Sequence, residues 1–183
     1  QIGEYELGVS LVGSDMCIRD RFSNGRNKDN VRGVKEVKSY MEENSINGEI
    51  IMFKAEQAKT SASAAEHLGC EVAQIAKSIV LKAENPILVI LSGDMRVDLK
   101  KLSEVIGEKA KLASPEYVSE EVGFIIGGVP PMGFDRPVRI LIDKSIERFS
   151  EVFSSGGSRD SILKIDVNEL KNVVKGEIVD VSK

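Results

Sequence analysis

The sequence predicts an α+β fold in which helices cover a curved, barrel-like mixed β-sheet. Two observations carry this prediction. Apolar runs of strand length are joined in some places by hairpin turns and in others by helices, so strands and helices do not alternate strictly. The chain also has 183 residues, of which 42% are hydrophobic and 30% charged, which suffices for one self-supporting core. We expect this single domain to occupy residues 31–183.

Residues 1–30 differ from the rest of the chain. Their hydrophobic residues follow no clear period, and the polar run Asn24–Asn30 separates them from the first helical pattern. They lack the basic start, long apolar centre and small-residue cleavage site of a secretory signal. We expect this segment to be a flexible leader outside the domain.

The first part of the domain predicts two helices around a short strand. Apolar residues recur at helical spacing over Val34–Met41, and Glu49–Phe53 is a β-rich run. The second helix is predicted to begin at a cap formed by Thr60 or Ser61 and to end at Gly69, which tolerates the left-handed conformation.

The central part predicts a hairpin followed by two helices. Ile75–Leu81 and Ile87–Leu91 are strands joined by the turn Glu84-Asn85-Pro86. A helix begins at Asp98 and ends before Gly107, and Ser114-Pro115-Glu116 has the cap, proline and acid of another helix start.

The last part of the domain begins with Phe124–Ile126, which leads into the loop Gly127-Gly128-Val129-Pro130-Pro131-Met132-Gly133. Periodicity beyond this loop predicts the strands Val138–Ile142 and Ile162–Ile165, a short helix over Asn168–Val173 and a final strand over Ile178–Val181.

Composition narrows the classes of function. The 25 basic and 29 acidic residues give a net charge of −4, so the chain has no global positive field to gather long stretches of nucleic acid. No apolar run approaches the roughly 20 residues that span a bilayer. Two cysteines, Cys17 and Cys70, and one histidine leave too few ligands for a zinc site. We expect a cytoplasmic protein that needs neither a metal nor a cofactor.

The most informative residue is Lys77, a lone charge within an otherwise apolar strand. A buried lysine without an anionic partner is costly, so something must compensate the charge. One interpretation is that the aliphatic stem is buried while the ammonium reaches solvent or a structural carboxylate. The other is that the ammonium stands at the mouth of a pocket and binds a phosphate, to which it can donate three hydrogen bonds.

The loop from Gly127 to Gly133 is the second unusual feature. Its glycines allow a close approach of the main chain to a ligand, while Pro130 and Pro131 stiffen it. The loop lacks the lysine and hydroxyl of a P-loop and does not match the dinucleotide fingerprint. Taken alone, such a segment is more often a tight turn than a binding site.

Three further features have ordinary interpretations when they are read one at a time. His67 is interpreted as a surface or packing residue because no serine or cysteine arrangement accompanies it. Asp143 follows a strand and is suited to cap a short helix, and Gly156-Gly157 is suited to a hairpin turn.

Taken together, these segments resemble a known family. The ordered combination of Thr60-Ser61 with Ala64-Ala65, Gln74-Ile75-Ala76-Lys77-Ser78, Gly127 to Pro131, Asp143 and Gly156-Gly157 resembles the YbaK-type aminoacyl-tRNA deacylases. It is also similar to the editing domain inserted in bacterial prolyl-tRNA synthetases. The resemblance runs from about Val31 to Val181 and depends on the combination, since no single motif is specific.

The resemblance implies hydrolysis of the ester that joins a wrong amino acid to the 3′ adenosine of a tRNA, most often one specific for proline. Lys77 would anchor the terminal nucleotide, and the main chain of Gly127 and Gly128 would position the reacting groups. The implied substrate-binding residues are Thr60, Ser61, Val129, Pro130, Pro131, Asp143, Gly156 and Gly157.

The implied partners are the 3′ end of aminoacyl-tRNA and prolyl-tRNA synthetase. The edited amino acid stays open among cysteine, alanine, serine and threonine. The alternative function is a non-catalytic module that binds a nucleotide or an aminoacyl-adenosine for regulation.

Overall fold

The computed structural model describes residues 31–54 and 60–183, so the predicted leader, residues 1–30, lies outside the described residues. The helices are α1 (Val34–Glu43), α2 (Ser61–Leu68), α3 (Leu99–Ile106), α4 (Pro115–Tyr117) and α5 (Val167–Val174). The strands are β1 (Gly48–Met52), β2 (Ala76–Lys82), β3 (Pro86–Ser92), β4 (Lys111–Leu112), β5 (Arg139–Asp143), β6 (Glu151–Ser155), β7 (Ser161–Asp166) and β8 (Glu177–Val179).

The described strands form two sheets. The smaller sheet is antiparallel, with the strand order β1-β7-β6. The larger has the order β4-β2-β3-β5-β8, in which β2 is antiparallel to both neighbours while β3, β5 and β8 are parallel. A parallel bridge between Ile75 and Phe153 connects the sheets just before β2 begins. The α+β class is therefore confirmed, and the described strands meet at this bridge without closing into a barrel.

The main core lies between the two sheets. Ala76 and Val80 from β2, Leu88 and Ile90 from β3 and Leu163 from β7 belong to one buried cluster, to which α1 and α5 also contribute. The opposite face of the larger sheet packs against α3 in a second cluster, which includes Leu81, Val89, Leu91 and Leu102. Because β3 is covered on both faces, its sequence is continuously apolar instead of alternating.

Capping side chains set the helix boundaries that the sequence predicts. Thr60 Oγ1 accepts a hydrogen bond from the Ser63 N–H at 3.1 Å, and α2 ends at Gly69 with φ 65°. The Asp98 carboxylate accepts hydrogen bonds from the N–H groups of Lys100 and Lys101, and α3 ends at Gly107 with φ 77°. These helix boundaries depend on local capping chemistry, so they can be predicted from the sequence without knowledge of the tertiary structure.

Some elements differ from the prediction. The helix start at Ser114 yields only the short α4, which continues as a π-helical turn over Val118–Val122 and ends at Gly123 with φ 84°. Strand β6 was not predicted, because Ser154 and Ser155 interrupt its apolar pattern. Within the described ranges, no helix is both long enough and apolar enough to span a bilayer.

Candidate active site

A cleft of about 260 Å³ opens where β2, the loop after Ile125, the β6–β7 turn and the start of α2 converge. It brings together five of the predicted site residues, namely Thr60, Ser61, Lys77, Gly127 and Val129. The other described lining residues are Ala64, Ile75, Ala76, Ser78, Ile79, Ile126, Ser154, Ser155, Ser158, Arg159, Ser161 and Ile162.

The cleft follows an interruption in strand pairing along the edge of β2 that faces away from β3. On this edge β2 pairs with β4 at Leu81 and Lys82, and the bridge to Phe153 lies at Ile75. Of the five residues between these points, the first four, Ala76–Ile79, line the cleft. The Val80 carbonyl accepts a hydrogen bond from the Ala113 N–H on this edge. Because backbone groups alternate along a strand, those of Ser78 point to the same edge and into the interruption.

Lys77 is half-buried at this edge, and its Nζ donates a hydrogen bond to the Met95 carbonyl. Burial lowers the pKa of Lys77 below its ordinary value of 10.5; the charge of Asp94 opposes this and that of Arg96 adds to it. Asp94 is itself engaged by Arg148, at 2.7 and 3.0 Å. Since an ammonium group has three donors, Lys77 keeps two for a ligand beside its bond to Met95.

The glycine-proline loop contacts the cleft through its first residues and the core through its later ones. Gly127 adopts φ 82°, which favours glycine, and it is exposed at the cleft. Gly128 packs so closely on the β6–β7 turn that a Cβ there would lie 2.9 Å from the Ser158 Cα. Val129 and Met132 are buried in the core between the sheets. The loop is therefore fixed at both its cleft end and its core end.

Arg159 ties the β6–β7 turn to the same loop. Its Nε donates a hydrogen bond to the Ile126 carbonyl at 2.9 Å, and its side chain passes beside Gly127. Arg159 is exposed at the cleft and carries a second positive charge on the lining. Arg159 was not a predicted site residue, because it follows Gly156-Gly157 in a segment that the sequence assigns to a hairpin turn.

Six predicted site residues do not line the cleft. These are Gly128, Pro130, Pro131, Asp143, Gly156 and Gly157. Pro130 and Pro131 follow Val129 in the sequence and are buried, so they stiffen the loop without lining the cleft. Gly156 donates its N–H to the Ser161 carbonyl, and Gly157 has φ 110° and packs against Gly33. The two glycines therefore form the turn that carries the lining residues.

Asp143 acts within the protein, as its ordinary interpretation predicts. Its buried carboxylate caps the 3₁₀ turn over Lys144–Arg148 through the Ser145 N–H at 2.9 Å and accepts a second hydrogen bond from the Val181 N–H at 2.9 Å. Burial acts to raise the pKa of Asp143, but hydrogen bonds from Ser145, Val181 and Ser182 outweigh it and hold the pKa below 3.8. This side chain joins the end of β5 to the C-terminal segment.

Five serines line the cleft in addition to Ser61, and none of them was a predicted site residue. Three are engaged in the β6–β7 turn: Ser155 Oγ accepts the Gly157 N–H, and the hydroxyls of Ser158 and Ser161 are 2.8 Å apart. The other two, Ser78 and Ser154, have buried hydroxyl oxygens with no hydrogen-bond partner in the described part of the chain. The sequence signals were the concentration of serine around Gly156-Gly157 and the position of Ser78 in the motif that follows Gln74.

The described lining residues supply hydroxyls, one ammonium, one guanidinium and main-chain groups. His67 is exposed and stacks edge-on against Phe53, and Cys70 is half-buried with its pKa raised by burial. Neither side chain lines the cleft. Over residues 31–54 and 60–183, no cluster of three or more His, Cys, Asp or Glu residues is placed to hold a metal. The arrangement suits binding and orienting a charged ligand.

Comparisons with known proteins point to one family. Residues 55–173, more than half of the chain, match the family described as aminoacyl-tRNA editing domain. The chain is 33% identical over 153 residues to YwhH of Bacillus subtilis (strain 168), an uncharacterized protein; the match covers 82% of this chain and 97% of that protein. It is 30% identical over 119 residues to the multifunctional Ser/Thr-tRNA deacylase ProXp-y of Escherichia coli (strain K12), covering 61% and 71% of the two chains.

A solved structure supports the same assignment. The crystal structure of a proposed trans-editing enzyme for prolyl tRNA synthetase superposes with a TM-score of 0.78 at 30% identity. The superposition covers 82% of this chain and 96% of that one. The chain therefore belongs to the aminoacyl-tRNA editing domain family, which its resemblance to the YbaK-type deacylases predicts.

Proposed function

We propose that this protein is an editing hydrolase that acts in trans and removes a wrong small amino acid from the 3′ end of tRNA, with tRNA specific for proline as its main substrate. Residues 31–183 form the proposed editing domain. The single observation that carries the proposal is that Lys77 and the Gly127 main chain lie on the same cleft. The names of the relatives, a Ser/Thr-tRNA deacylase and a trans-editing enzyme for prolyl tRNA synthetase, support it.

Lys77 is proposed to anchor the phosphate of the terminal nucleotide. Its hydrogen bond to the Met95 carbonyl fixes the direction of the ammonium, and partial burial strengthens its interaction with an anion. Arg159, which also lines the cleft, adds a second positive charge near the same RNA end. Only the single-stranded terminus has to enter, which agrees with a net charge of −4.

The Gly127 loop is proposed to position the ester and the attacking water. Water oxygen adds to the carbonyl carbon, the bond from this carbon to the ribose oxygen breaks, and the ribose oxygen leaves with a proton as a hydroxyl group. The neighbouring ribose hydroxyl helps to relay that proton. The Gly127 main-chain N–H stabilises the negative charge that develops on the carbonyl oxygen. The Gly128 N–H is already donated to the Ile125 carbonyl at 2.9 Å, so Gly128 acts by holding the loop in place. Orientation of an already reactive ester supplies the remaining acceleration.

Of the other predicted residues, some are proposed to line the pocket and the rest to support the residues that line it. Thr60, Ser61 and Val129 form its wall. Pro130 and Pro131 stabilise the loop, Gly156 and Gly157 form the turn, and Asp143 stabilises the fold at the end of β5.

An editing site that is separate from the synthetase active site has a clear physical purpose. A synthetase distinguishes amino acids that differ by one small group by only about 1–3 kcal/mol, so a separate hydrolytic site is needed for accuracy. We propose that prolyl-tRNA synthetase is the partner whose errors this protein corrects.

The proposal is tested by measuring deacylation of cysteinyl-, alanyl- and seryl-tRNA specific for proline with the wild type and with Lys77→Ala. We expect kcat/KM to fall about 10- to 100-fold, because the variant loses one charge-assisted hydrogen bond to the substrate. Lys82→Ala is the matched control, because Lys82 lies on the same strand but is exposed and stacks over the Tyr117 ring at 4.9 Å.

Equal rates for the wild type and Lys77→Ala would contradict the role of this lysine. Tight binding of a non-hydrolysable aminoacyl-adenosine without turnover of any ester would instead support the alternative, a non-catalytic regulatory module.

A further inference from the structure

We propose that the cleft selects amino acids that carry a side-chain hydroxyl, serine and threonine, and that Ser78 and Ser154 form the recognition site for this hydroxyl. The inference deepens the proposed function and rests on it. It narrows the substrates left open by the sequence to one chemical class.

The first step of the argument is the state of the two hydroxyls. Ser154 is 1% exposed, and its Oγ has no hydrogen-bond partner among the described residues. The Ser78 Oγ is buried in the same way and is also unpartnered there. Buried hydroxyls are nearly always hydrogen-bonded, because leaving one unpaired is unfavourable. Ser78 and Ser154 both lie on the lining of this cleft, where one ligand can supply the missing hydrogen bonds to both.

The second step is that both side chains face inward from neighbouring strands. Side chains two residues apart on a strand share a face. Ser78 lies between Ala76 and Val80 on β2, and Ser154 lies two residues after Val152 on β6; these three apolar neighbours belong to the core between the sheets. The two hydroxyls therefore stand at the inner end of the cleft.

The third step separates these two serines from Thr60 and from the serines of the β6–β7 turn. The hydroxyls of Ser155, Ser158 and Ser161 are engaged within the β6–β7 turn, and Thr60 Oγ1 caps α2. These groups have structural partners before any ligand arrives. Ser78 and Ser154 keep both their donor and their acceptor capacity for a ligand.

The chemistry of a hydroxyl ligand matches this pair. A serine hydroxyl donates one hydrogen bond and accepts two, so two of them can serve both functions of a third hydroxyl. An alanyl group offers only a methyl and leaves both serines unpaired. A pocket built to hydrogen-bond a substrate hydroxyl discriminates strongly against an analogue that lacks it.

The test compares kcat/KM for seryl-, threonyl- and alanyl-tRNA in the wild type, Ser154→Ala and Ser78→Ala. We expect the wild type to prefer the two hydroxyl-bearing esters, and each variant to lose about 10-fold on them while its rate on alanyl-tRNA stays within about twofold. Ser92→Ala is the matched control. Ser92 is equally buried and its Oγ is also unpartnered among the described residues, but it does not line the cleft.

The outcomes separate this inference from the proposed function. If the wild type hydrolyses alanyl-tRNA as fast as seryl-tRNA, or if the variants lose activity equally on all esters, the inference is wrong and the proposed function stands. If no ester is hydrolysed, the proposed function is wrong. Binding of 3′-amide analogues of seryl- and alanyl-adenosine then decides: a seryl preference that Ser154→Ala abolishes supports the inference, and equal affinities overturn it.

Discussion

The proposed role of Lys77 depends on its incomplete burial. The surrounding protein lowers its pKa below 10.5, while the Met95 carbonyl and the charge of Asp94 favour the ammonium form. A fully buried lysine would lose its proton, and a fully exposed one would bind a phosphate weakly against water. The intermediate position keeps the charge and reduces its screening.

Ligand binding should therefore depend on the protonation of Lys77. Only the ammonium attracts phosphate, so we expect affinity to be constant while this group stays protonated and to fall as pH rises through the Lys77 pKa, which lies below 10.5. The measurement is the dissociation constant of a non-hydrolysable aminoacyl-adenosine 5′-phosphate from neutral to strongly alkaline pH. Lys77→Arg should remove the fall, because a guanidinium stays charged over this range. A fall that persists in this variant would assign the titration to another group.

Asp143 is expected to act on stability. Asp143→Asn removes one charged acceptor from the N–H groups of Ser145 and Val181, so we expect the free energy of unfolding at neutral pH to decrease by about 2–3 kcal/mol. Because the folded pKa is lowered, this contribution is present above the unfolded pKa and is lost as pH falls through the folded one, below 3.8.

Urea unfolding of both proteins at neutral pH and at a pH below 3.8 measures this effect. Asp180→Asn is the control, since Asp180 is exposed and its ion pair with Lys101 contributes at most about 1 kcal/mol. A difference between the wild type and Asp143→Asn that does not shrink at low pH would contradict the assignment.

At the scale of elements, the site depends on the contact between the glycine-proline loop and the β6–β7 turn. A Cβ at position 128 would lie 2.9 Å from the Ser158 Cα and 3.0 Å from its carbonyl carbon, which are backbone atoms that cannot rotate away. We expect Gly128→Ala to separate loop and turn and to reduce kcat/KM about 10- to 100-fold, since small misplacements strongly affect positioned reactions.

Gly107→Ala provides the comparison for this substitution. Gly107 also has a special backbone role, with φ 77° at the end of α3, but no neighbouring atom lies within 4 Å of the place that an added Cβ would take. This variant should lose about 1 kcal/mol of stability and keep full activity. Equal activity of the Gly128→Ala variant and the wild type would show that the contact does not position the loop.

Some elements of the fold could be predicted from the sequence and others could not. Caps such as Thr60 and Asp98, the β2–β3 hairpin and the α+β class were predictable because they depend on local chemistry and periodicity. Strand β6 was not predictable, because a segment with consecutive serines is typical of a loop. That Lys77 and Gly127 line one cleft was expected only from the family resemblance, since residues so far apart in the sequence give no information about their distance in the fold. The unpartnered state of Ser154 becomes visible only when the neighbours of its hydroxyl are known.

For the whole molecule, the charge distribution predicts weak and local electrostatic contact with RNA. If only Lys77 and Arg159 neutralise phosphates, the logarithm of the binding constant should fall with the logarithm of salt concentration with a slope of about −1.4, and Lys77→Ala should reduce this slope by about 0.7. Binding of a non-hydrolysable aminoacyl minihelix at increasing NaCl measures both values. A slope several times steeper would instead reveal an extensive contact with the tRNA body.

The interruption in pairing along β2 has a consequence for how such a protein can change. Between Ile75 and Val80 the sheet presents main-chain groups, which every residue type carries, so few point mutations can erase this polar surface. The side chains that line the cleft, by contrast, can each be replaced by a point mutation. Under the proposed function, the selectivity of the cleft can therefore change between related proteins while its main-chain surface is retained.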